Sequence, residues 1–193
     1  GDGEKFRKNY KLKYPIVFQV GSKNEEKGSY NLVEAMKNIW DKNIRAHLVF
    51  AGMKREEFSN YLDSLEEKYR KWIVNIDDIS DEEKWDLFAA GDIFSMVSKT
   101  DSFGIVYLEA WSNRIPVIGC NNEAIKQVIS NDKDGYLLDF DDIQGISRKI
   151  EYLLEDESER KRMGENGREK VERKYDWKKN LDNLGKLYKE LIV

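Results

Sequence analysis

Short apolar runs alternate along the chain with segments whose apolar residues recur every three or four positions. The runs predict six β-strands, at 15–20, 46–51, 72–76, 93–97, 117–119 and 135–138. The segments between them predict amphipathic helices, at 28–40, 54–71, from 80, at 103–113, at 122–130 and from 141 onward. Strands that are apolar throughout and alternate with helices are typical of a parallel sheet that is covered on both faces. The sequence therefore predicts an α/β fold with a doubly wound parallel sheet, in which ligands bind beyond the carboxyl ends of the strands.

The two ends of the chain depart from this alternation. Residues 1–14 are charged and aperiodic, which indicates a linker or lead-in before a domain that extends over 15–175. The segment 176–193 predicts a C-terminal helix that packs on the domain, with apolar positions at Leu181, Leu184, Tyr188 and Leu191. Because the first residue is Gly1 rather than Met, we expect a processed or trimmed chain.

Composition narrows the class of protein. The chain has 193 residues, of which 40% are hydrophobic, enough for one substantial core. The formal charge of −4 comes from acidic and basic residues that are mixed along the chain, so we expect no nucleic-acid partner. The single Cys120 excludes an internal disulfide and a cysteine-based metal cluster, which fits a reducing setting. With no apolar run long enough to span a bilayer and no signal peptide, we expect a cytoplasmic protein.

The stretch 92–117 contains the clearest candidate chemistry. A buried strand leads through the polar turn 98–102 into the helix 103–113, with Asp101 before the helix and Glu109 within it. Backbone N–H groups and the positive end of the helix dipole converge at such a turn and favour an anion. Both carboxylates are placed to face one cleft, and a carboxylate is a good acceptor for two adjacent sugar hydroxyls.

A second loop, 21–28, follows the first predicted strand and places Lys27 at the start of a helix. A cation is unfavourable there unless it holds an anion that the helix dipole also attracts. By itself this pattern favours the simpler interpretation, a solvated lysine that is neutralised by Glu25 or Glu26.

For Asp101 and Glu109 the simpler interpretation is an exposed helix cap and a carboxylate on a solvated face. The neighbours of Glu109 are nearly all apolar, which predicts a buried helix, and a buried carboxylate needs a partner. The functional interpretation is therefore favoured for these two residues.

Other candidates are weaker. Asp132 and Asp134 have the spacing of a metal-binding Asp-x-Asp, but they precede Gly135 in a segment that reads as a turn. His47, the single histidine, alternates with apolar residues and is predicted to pack or to lie at the rim rather than to act in catalysis. Without a second histidine or a cysteine partner, a catalytic triad has little support.

The residues around the turn resemble a known family. The stretch 97–110, VSKTDSFGIVYLEA, is similar to the signature of retaining glycosyltransferase family 4, with Asp101 and Glu109 in the two places of its Glu-x7-Glu pattern. The flanking segments also resemble the family, in the same order along the chain. The family's first glycine loop corresponds to 20–21 and its Lys-Gly to 27–28. Its Val-Pro-Val corresponds to 115–117, its Gly-Leu-Leu to 134–138 and its tail to 160–177. The resemblance extends over nearly the whole chain from about residue 15.

That family has two facing Rossmann-like halves, a fold called GT-B, and the chain resembles only the C-terminal, nucleotide-sugar-binding half. The resemblance implies a hexose transferred from a UDP- or GDP-sugar to a glycan, lipid or other acceptor. In the family the N-terminal half, which has no counterpart here, supplies most of the acceptor site. The helix 176–193 is then expected to pack on this domain or toward that half. For the full-length enzyme the resemblance allows a peripheral association with a membrane.

The same resemblance implies roles for individual residues. Glu109 hydrogen-bonds the ribose hydroxyls, and Asp101 contacts the donor sugar. Lys27 holds the diphosphate together with a set of loop and turn residues, which comprises Gly21, Ser22, Lys23, Ser102, Phe103, Gly104 and Ile105. Protein cations and N–H groups then stabilise the departing diphosphate, so no metal or other cofactor is expected.

Several positions depart from the family pattern. Ser22 replaces the usual arginine, and Lys23 beside it lacks the guanidinium fork. Asp101 is one methylene shorter than the usual glutamate, and Glu123 and Gln127 replace a usual glycine and acid. These changes support an alternative, a degenerate glycosyltransferase-like binding module without catalysis. A flavodoxin-like or receiver domain is a more distant alternative. A receiver needs an acidic cluster at the end of its first strand, and the loop 21–23 does not supply one.

Overall fold

The computed structural model describes residues 1–176 together with Leu181 and Tyr188. This part of the chain contains one sheet of six parallel strands in the order β3-β2-β1-β4-β5-β6. The strands are β1 Ile16–Val20, β2 His47–Gly52, β3 Ile73–Asp77, β4 Ile93–Met96, β5 Val117–Cys120 and β6 Gly135–Leu138. All six predicted strands are confirmed. The strand order reverses between β1 and β4, so the carboxyl ends of these two neighbours form the crevice in which such sheets bind ligands.

Helices cover both faces of the sheet and enclose two apolar clusters, one on each face. The helices are α1 Gly3–Asn9, α2 Ser29–Asp41, α3 Glu56–Ser64, α4 Glu67–Arg70, α5 Asp81–Ala90, α6 Ile105–Ser112, α7 Glu123–Lys126, α8 Ile143–Glu155 and α9 Glu157–Lys174. One cluster includes the apolar stripes of α2 and α8, and the other includes those of α1, α5 and α6. The predicted doubly wound α/β fold is therefore confirmed.

Three helices differ from the predicted ranges. The helix expected at 54–71 is two helices, because the chain is extended at Leu65 and Glu66. The helix expected at 122–130 is limited to the single turn of α7. Helix α6 starts at Ile105, since Gly104 before it has a left-handed φ of 73°. Apolar spacing continues across each of these breaks, so periodicity did not reveal them.

The segment 1–14, for which charge and aperiodicity indicate a linker, contains helix α1 instead. Asp2 caps this helix by accepting a hydrogen bond of 3.0 Å from the Lys5 N–H. Phe6 is buried against α5, and the Arg7 guanidinium lies 2.7 Å from Asp92. Two buried apolar residues, Phe6 and Leu12, and the ion pairs of Lys5 and Arg7 attach this segment to α5 and to the start of β4, and so few contacts give no periodic signal.

The predicted C-terminal helix over 176–193 lies outside the described residues, except for Asp176, Leu181 and Tyr188. In the part of the chain that the structure describes, no helix is long and apolar enough to cross a membrane.

His47 packs between two aromatic rings, as its position on a buried strand predicts. Its ring centroid lies 5.9 Å from that of Tyr14 and 5.6 Å from that of Trp72. Burial, assisted by the positive charge of Arg7, lowers the pKa of His47 below its ordinary value. The folded state therefore favours the neutral imidazole.

This lowered pKa predicts acid sensitivity. As the pH falls through about 6.5, unfolded His47 takes up a proton while the folded form stays neutral, so stability decreases toward acid. We expect the stability advantage of the protein over a His47→Phe variant to shrink between about pH 7 and pH 5, with a slope of at most about 1.4 kcal/mol per pH unit. Urea denaturation at several pH values measures this, and parallel stability curves for the two proteins contradict it.

Candidate anion-binding cleft at the carboxyl ends of the strands

Two helices begin with a left-handed glycine at the central crevice. Gly28 precedes α2 with a φ of 71°, and Gly104 precedes α6 with a φ of 73°. At Gly28 a Cβ atom would lie 2.4 Å from the backbone oxygen of Val97, so the start of α2 lies directly against the end of β4. Neither glycine has a side chain with which to cap its helix. Both helix N-termini can therefore offer backbone N–H groups to an anion.

Lys27 connects the first loop to the polar turn. Its ammonium lies 3.2 Å from Asp101 Oδ2 and 3.3 Å from the Thr100 backbone oxygen. The other oxygen of Asp101 accepts a hydrogen bond of 3.1 Å from the Gly104 N–H. Glu25, which sequence reasoning considered as a partner for Lys27, instead pairs with Lys99 at 3.5 Å. The structure thus brings Lys27 and Asp101 together, although 74 positions separate them.

An open cleft of about 490 Å³ lies between this pair and the start of α7. Its lining comprises Lys27, Lys99, Thr100, Asp101, Ser102, Asn122, Glu123 and Ala124. Glu123 extends into solvent and pairs with Lys126 at 2.9 Å. The cleft therefore contains two lysines and two carboxylates, beside helices whose N-termini favour negative charge.

Glu109 contacts a cation that sequence reasoning did not identify. Its Oε1 atom accepts a hydrogen bond of 2.6 Å from Lys84 of α5, and its side chain is 19% exposed. The expectation that this carboxylate is largely buried and needs a partner is confirmed. Glu109 does not line the 490 Å³ cleft, so the two carboxylates of the motif have different surroundings.

Lys23 is turned away from the cleft. Its side chain is 1% exposed, and its ammonium donates to Asn75 Oδ1 at 2.9 Å and to the Ile76 backbone oxygen at 3.1 Å. The third hydrogen bond goes to the Asp77 carboxylate. An ammonium has three N–H donors, and all three are used here. In this arrangement Lys23 has no donor left for a phosphate.

The remaining predicted residues do not form the wall of the cleft. Gly21 has a φ of 133° and a free space where a Cβ would stand, and Ser22 follows it at the end of β1. Phe103 and Ile105 are exposed, at 43% and 66%. The prediction that α6 is buried is confirmed for the face that carries Tyr107, Ala110 and Trp111, and it is wrong for Ile105. Apolar composition could not reveal this, because solvent reaches the first turn of the helix at the crevice.

Several residues that hold the site in place gave little sequence signal. Ser98 is buried and donates a hydrogen bond of 2.8 Å to the Thr100 oxygen across the turn. Asn122 donates to the Ser98 oxygen at 3.1 Å and caps α7. Gln19 donates to the Lys27 oxygen at 3.3 Å. A short polar residue before a predicted helix is a recognisable signal for Asn122, whereas a glutamine inside an apolar strand indicates only that it has a buried partner.

The Asp-x-Asp triplet forms a turn, as predicted. Asp132 is exposed in a left-handed conformation with a φ of 60°. Asp134 is fully buried, accepts a hydrogen bond of 2.8 Å from the Ser130 N–H and pairs with Lys170 of α9. These contacts attach α9 to the sheet.

The fold and the cleft define a class, the C-terminal, Rossmann-like half of a GT-B glycosyltransferase. The family model for glycosyl transferases group 1 matches residues 2–170. The chain belongs to this family, and the suspected resemblance is confirmed at that level. The match includes helix α1, in agreement with its packing on the sheet.

Known proteins agree with this assignment. Sulfoquinovosyl transferase SQD2 of Arabidopsis thaliana is 31% identical over 168 residues, which cover 85% of this chain and 31% of the plant protein. The solved C-terminal domain of the group 1 glycosyltransferase LpcC from Francisella tularensis superposes with a TM-score of 0.77 at 25% identity, covering 91% of this chain and 94% of that domain. Anabaena HepE, solved in complex with UDP-glucose, superposes with a TM-score of 0.82 at 15% identity, covering 97% of this chain and 52% of HepE. The chain thus spans about a third of SQD2 and about half of HepE.

Proposed function

We propose that this chain is the donor-binding domain of a retaining glycosyltransferase that transfers a hexose from a UDP- or GDP-sugar. The observation that carries the proposal is the Lys27–Asp101 pair between two helix N-termini that begin at a glycine, at the point where the strand order reverses. A site with a cation and free N–H groups suits a diphosphate, and an adjacent carboxylate suits sugar hydroxyls.

In this proposal Lys27 leaves Asp101 and turns to the diphosphate when the donor binds. Its side chain is 27% exposed and makes one ion pair within the described part of the chain, so little reorganisation is required. The Ile105 N–H at the start of α6 stabilises the charge that develops on the departing diphosphate, while the Gly104 N–H keeps its hydrogen bond to Asp101. Asp101, released by Lys27, then accepts from hydroxyls of the donor sugar. Ser102 and Phe103 lie on the rim of the same turn.

Glu109 accepts hydrogen bonds from the ribose. The Lys84 contact uses Oε1, so Oε2 can accept from a ribose hydroxyl without loss of the ion pair. The contact with Lys84 limits the rotamers of Glu109, which preorganises the acceptor. The complex of HepE with UDP-glucose supports a nucleotide sugar as the ligand in this fold.

The proposal includes a second, N-terminal domain that supplies the acceptor site, because the chain spans only part of its relatives. Without that domain we expect nucleotide binding but no sugar transfer. The LpcC structure supports a domain that folds alone. The acceptor in this proposal is a glycan, lipid or other molecule. The enzyme acts in the cytoplasm, with peripheral association at the membrane as an option. No metal or cofactor takes part, because Lys27 and the helix N-termini stabilise the leaving group.

The assignment of Glu109 predicts a measurable loss of nucleotide affinity. Calorimetric titration of UDP, GDP and ADP should show binding of one or more nucleotides to this chain. Glu109→Ala removes the ribose acceptor and should weaken that binding by about 1.5–3 kcal/mol, roughly 10- to 100-fold.

Glu151 provides a matched control for this titration. It also accepts a 2.6 Å contact from a lysine, Lys42, and its side chain is 20% exposed. Glu151→Ala should leave nucleotide affinity unchanged. If none of the three nucleotides binds, the donor-site proposal loses its main support, whereas equal binding by the Glu109 variant overturns the ribose assignment alone.

One specific observation supports the alternative, a degenerate binding module without catalysis. The arginine position of the family is Ser22, and Lys23 beside it has all of its donors engaged with β3 and its carboxyl end. The diphosphate then has Lys27 as its main cation from this loop. Absence of nucleotide binding in the titration above favours the module, and nucleotide binding that depends on Glu109 favours the enzyme.

A further inference from the structure

The opposite end of the sheet contains a groove that the donor site does not use. This basal groove has a volume of about 530 Å³ and lies between the end of α2 and α4, where the chain enters β1, β2 and β3. Tyr14, Arg45 and Trp72, which line it, precede these three strands. A strand of five residues is roughly 17 Å long, so the groove and the donor cleft are separate sites.

Two aromatic side chains form one wall of the basal groove. The rings of Tyr14 and Trp72 meet edge to face with centroids 5.6 Å apart, and both residues are partly exposed. Among the described residues the indole N–H of Trp72 has no hydrogen-bond partner, although Trp40 nearby donates to the Ala46 oxygen at 2.9 Å. A flat apolar face beside a free N–H donor suits a ring that has both C–H faces and oxygen acceptors.

The polar groups of the groove are mainly unused donors. Among the residues that the structure describes, Arg45 donates one hydrogen bond of 2.8 Å, to the Tyr14 hydroxyl, so most of its guanidinium N–H groups have no partner there. The Lys71 ammonium lies 5.5 Å from the Trp72 ring centroid and forms no ion pair with any residue that the structure describes. The Asn43 side chain likewise has no hydrogen-bond partner in this part of the chain.

The carboxylate that lines the groove already has partners. The Tyr69 hydroxyl shares its single hydrogen between the two oxygens of Asp41, 2.9 Å from each, and the Lys68 ammonium lies 3.4 Å away. A ligand in the groove therefore meets free donors and positive charge, together with an aromatic face. It must be rich in acceptors and negatively charged.

We infer that the basal groove binds an acidic oligosaccharide, a sugar chain that carries carboxylate or phosphate groups. Its volume is in the range of about 300–1,000 Å³ that ligand sites occupy. Sugar rings pack on Trp72 and Tyr14, and their acidic groups pair with Arg45 and Lys71. Arg45 and Lys71 provide N–H donors and positive charge directly beside these two stacking faces.

The inference can be tested on the chain itself with defined probes. An oligomer of six galacturonic acid units carries a carboxylate on each sugar, and maltohexaose is a neutral counterpart. The indole signals of the ¹⁵N-labelled protein report binding, and the signal that disappears in Trp72→Phe identifies Trp72. We expect the acidic hexamer to shift the Trp72 signal in a saturable way and to bind at least about tenfold more tightly than maltohexaose.

Charge reversal separates a specific site from general attraction. The double variant Arg45→Glu/Lys71→Glu should weaken binding of the acidic hexamer at least about tenfold and leave nucleotide binding at the donor cleft unchanged. The control Lys8→Glu/Arg148→Glu has the same change in net charge on two exposed residues for which no side-chain contact is recorded among those described, and it should bind as the parent does.

Each other outcome overturns the inference. Equal affinity for maltohexaose removes the charge argument, and equal losses in the two double variants show attraction without a site. If the backbone amide signals of Lys27 and Ser102 shift while the Trp72 indole signal stays unchanged, the sugar binds in the donor cleft. Tighter binding of a single-stranded oligonucleotide at Trp72 assigns the groove to nucleic acid. Because none of these readouts depends on sugar transfer, a failure here is distinct from a failure of the proposed function.

Discussion

Replacing Lys27 by alanine is expected to reduce turnover of the two-domain enzyme about 10²- to 10³-fold, with a smaller change in KM. In the domain itself the same variant should weaken binding of the nucleoside diphosphate, while binding of the nucleoside without phosphates stays the same. Steady-state kinetics and calorimetric titration measure the two effects.

The size of the effect follows from the surroundings of this lysine. The ammonium faces the polar turn, and Lys23, the nearest alternative on the same loop, is buried with its three donors engaged. Removing Lys27 leaves the helix N-termini to stabilise the leaving diphosphate, and one lost interaction of this type corresponds to about 2.7–4 kcal/mol in the transition state. The Asp101 carboxylate also loses its cation, so the charge balance of the cleft becomes less favourable for a diphosphate.

Lys37 is a suitable control for this variant. It lies on α2, the helix that follows Lys27, has the same exposed fraction of 27% and pairs with Glu34 at 2.9 Å. Lys37→Ala should leave both turnover and diphosphate affinity unchanged. If Lys27→Ala retains more than about a third of the parental turnover, the cation that stabilises the leaving group is not Lys27.

The second large effect concerns stability rather than catalysis. Lys170→Ala is expected to lower the free energy of unfolding by about 3–5 kcal/mol, because it leaves the Asp134 carboxylate buried without its cation. For a chain of this length the loss corresponds to a decrease in Tm of roughly 6–20 °C. Thermal and urea unfolding of the domain measure it.

The contacts of Lys170 explain why this ion pair matters. Its ammonium donates to the Val128 oxygen at 2.8 Å and to Ser130 Oγ at 2.9 Å, contacts the Asp134 carboxylate and lies 4.8 Å from the Trp111 ring centroid. Burial lowers the pKa of Lys170, and the negative charge of Asp134 opposes that effect. One side chain thus attaches α9 to the loop 127–134 and to Trp111 in the core.

An exposed pair on the same helix provides the comparison. Lys161 and Glu157 lie 2.6 Å apart, with most of both side chains in solvent. Lys161→Ala should change stability by less than about 1 kcal/mol. Similar small losses for both lysine variants contradict a buried, structural role for Lys170. In the double variant Lys170→Met/Asp134→Asn no charge stays buried, so we expect part of the stability to return.

Most of the fold could be predicted from local pattern. Each parallel strand is buried on both faces and therefore appears as a short apolar run, and the capping pattern of Ser80 and Glu83 marks the start of α5. The breaks at Leu65 and Gly104 could not be predicted, because apolar spacing continues through them. Helix α1 was missed because its attachment depends on Phe6 and on the distant Asp92.

For the candidate site, the sequence by itself determined the chemical types and their order: a glycine loop with Lys27, and a polar turn with Asp101 and Glu109. Local pattern suffices for this because helix starts and turns require particular residues at short spacing. Only the tertiary structure decided which charges meet. It placed Lys27 against Asp101 and Glu109 against Lys84, and it turned Lys23 toward the carboxyl end of β3. The physical reason is that parallel strands bring distant loops to one edge of the sheet, so the partner of a charge is set by strand order and burial rather than by its neighbours in sequence.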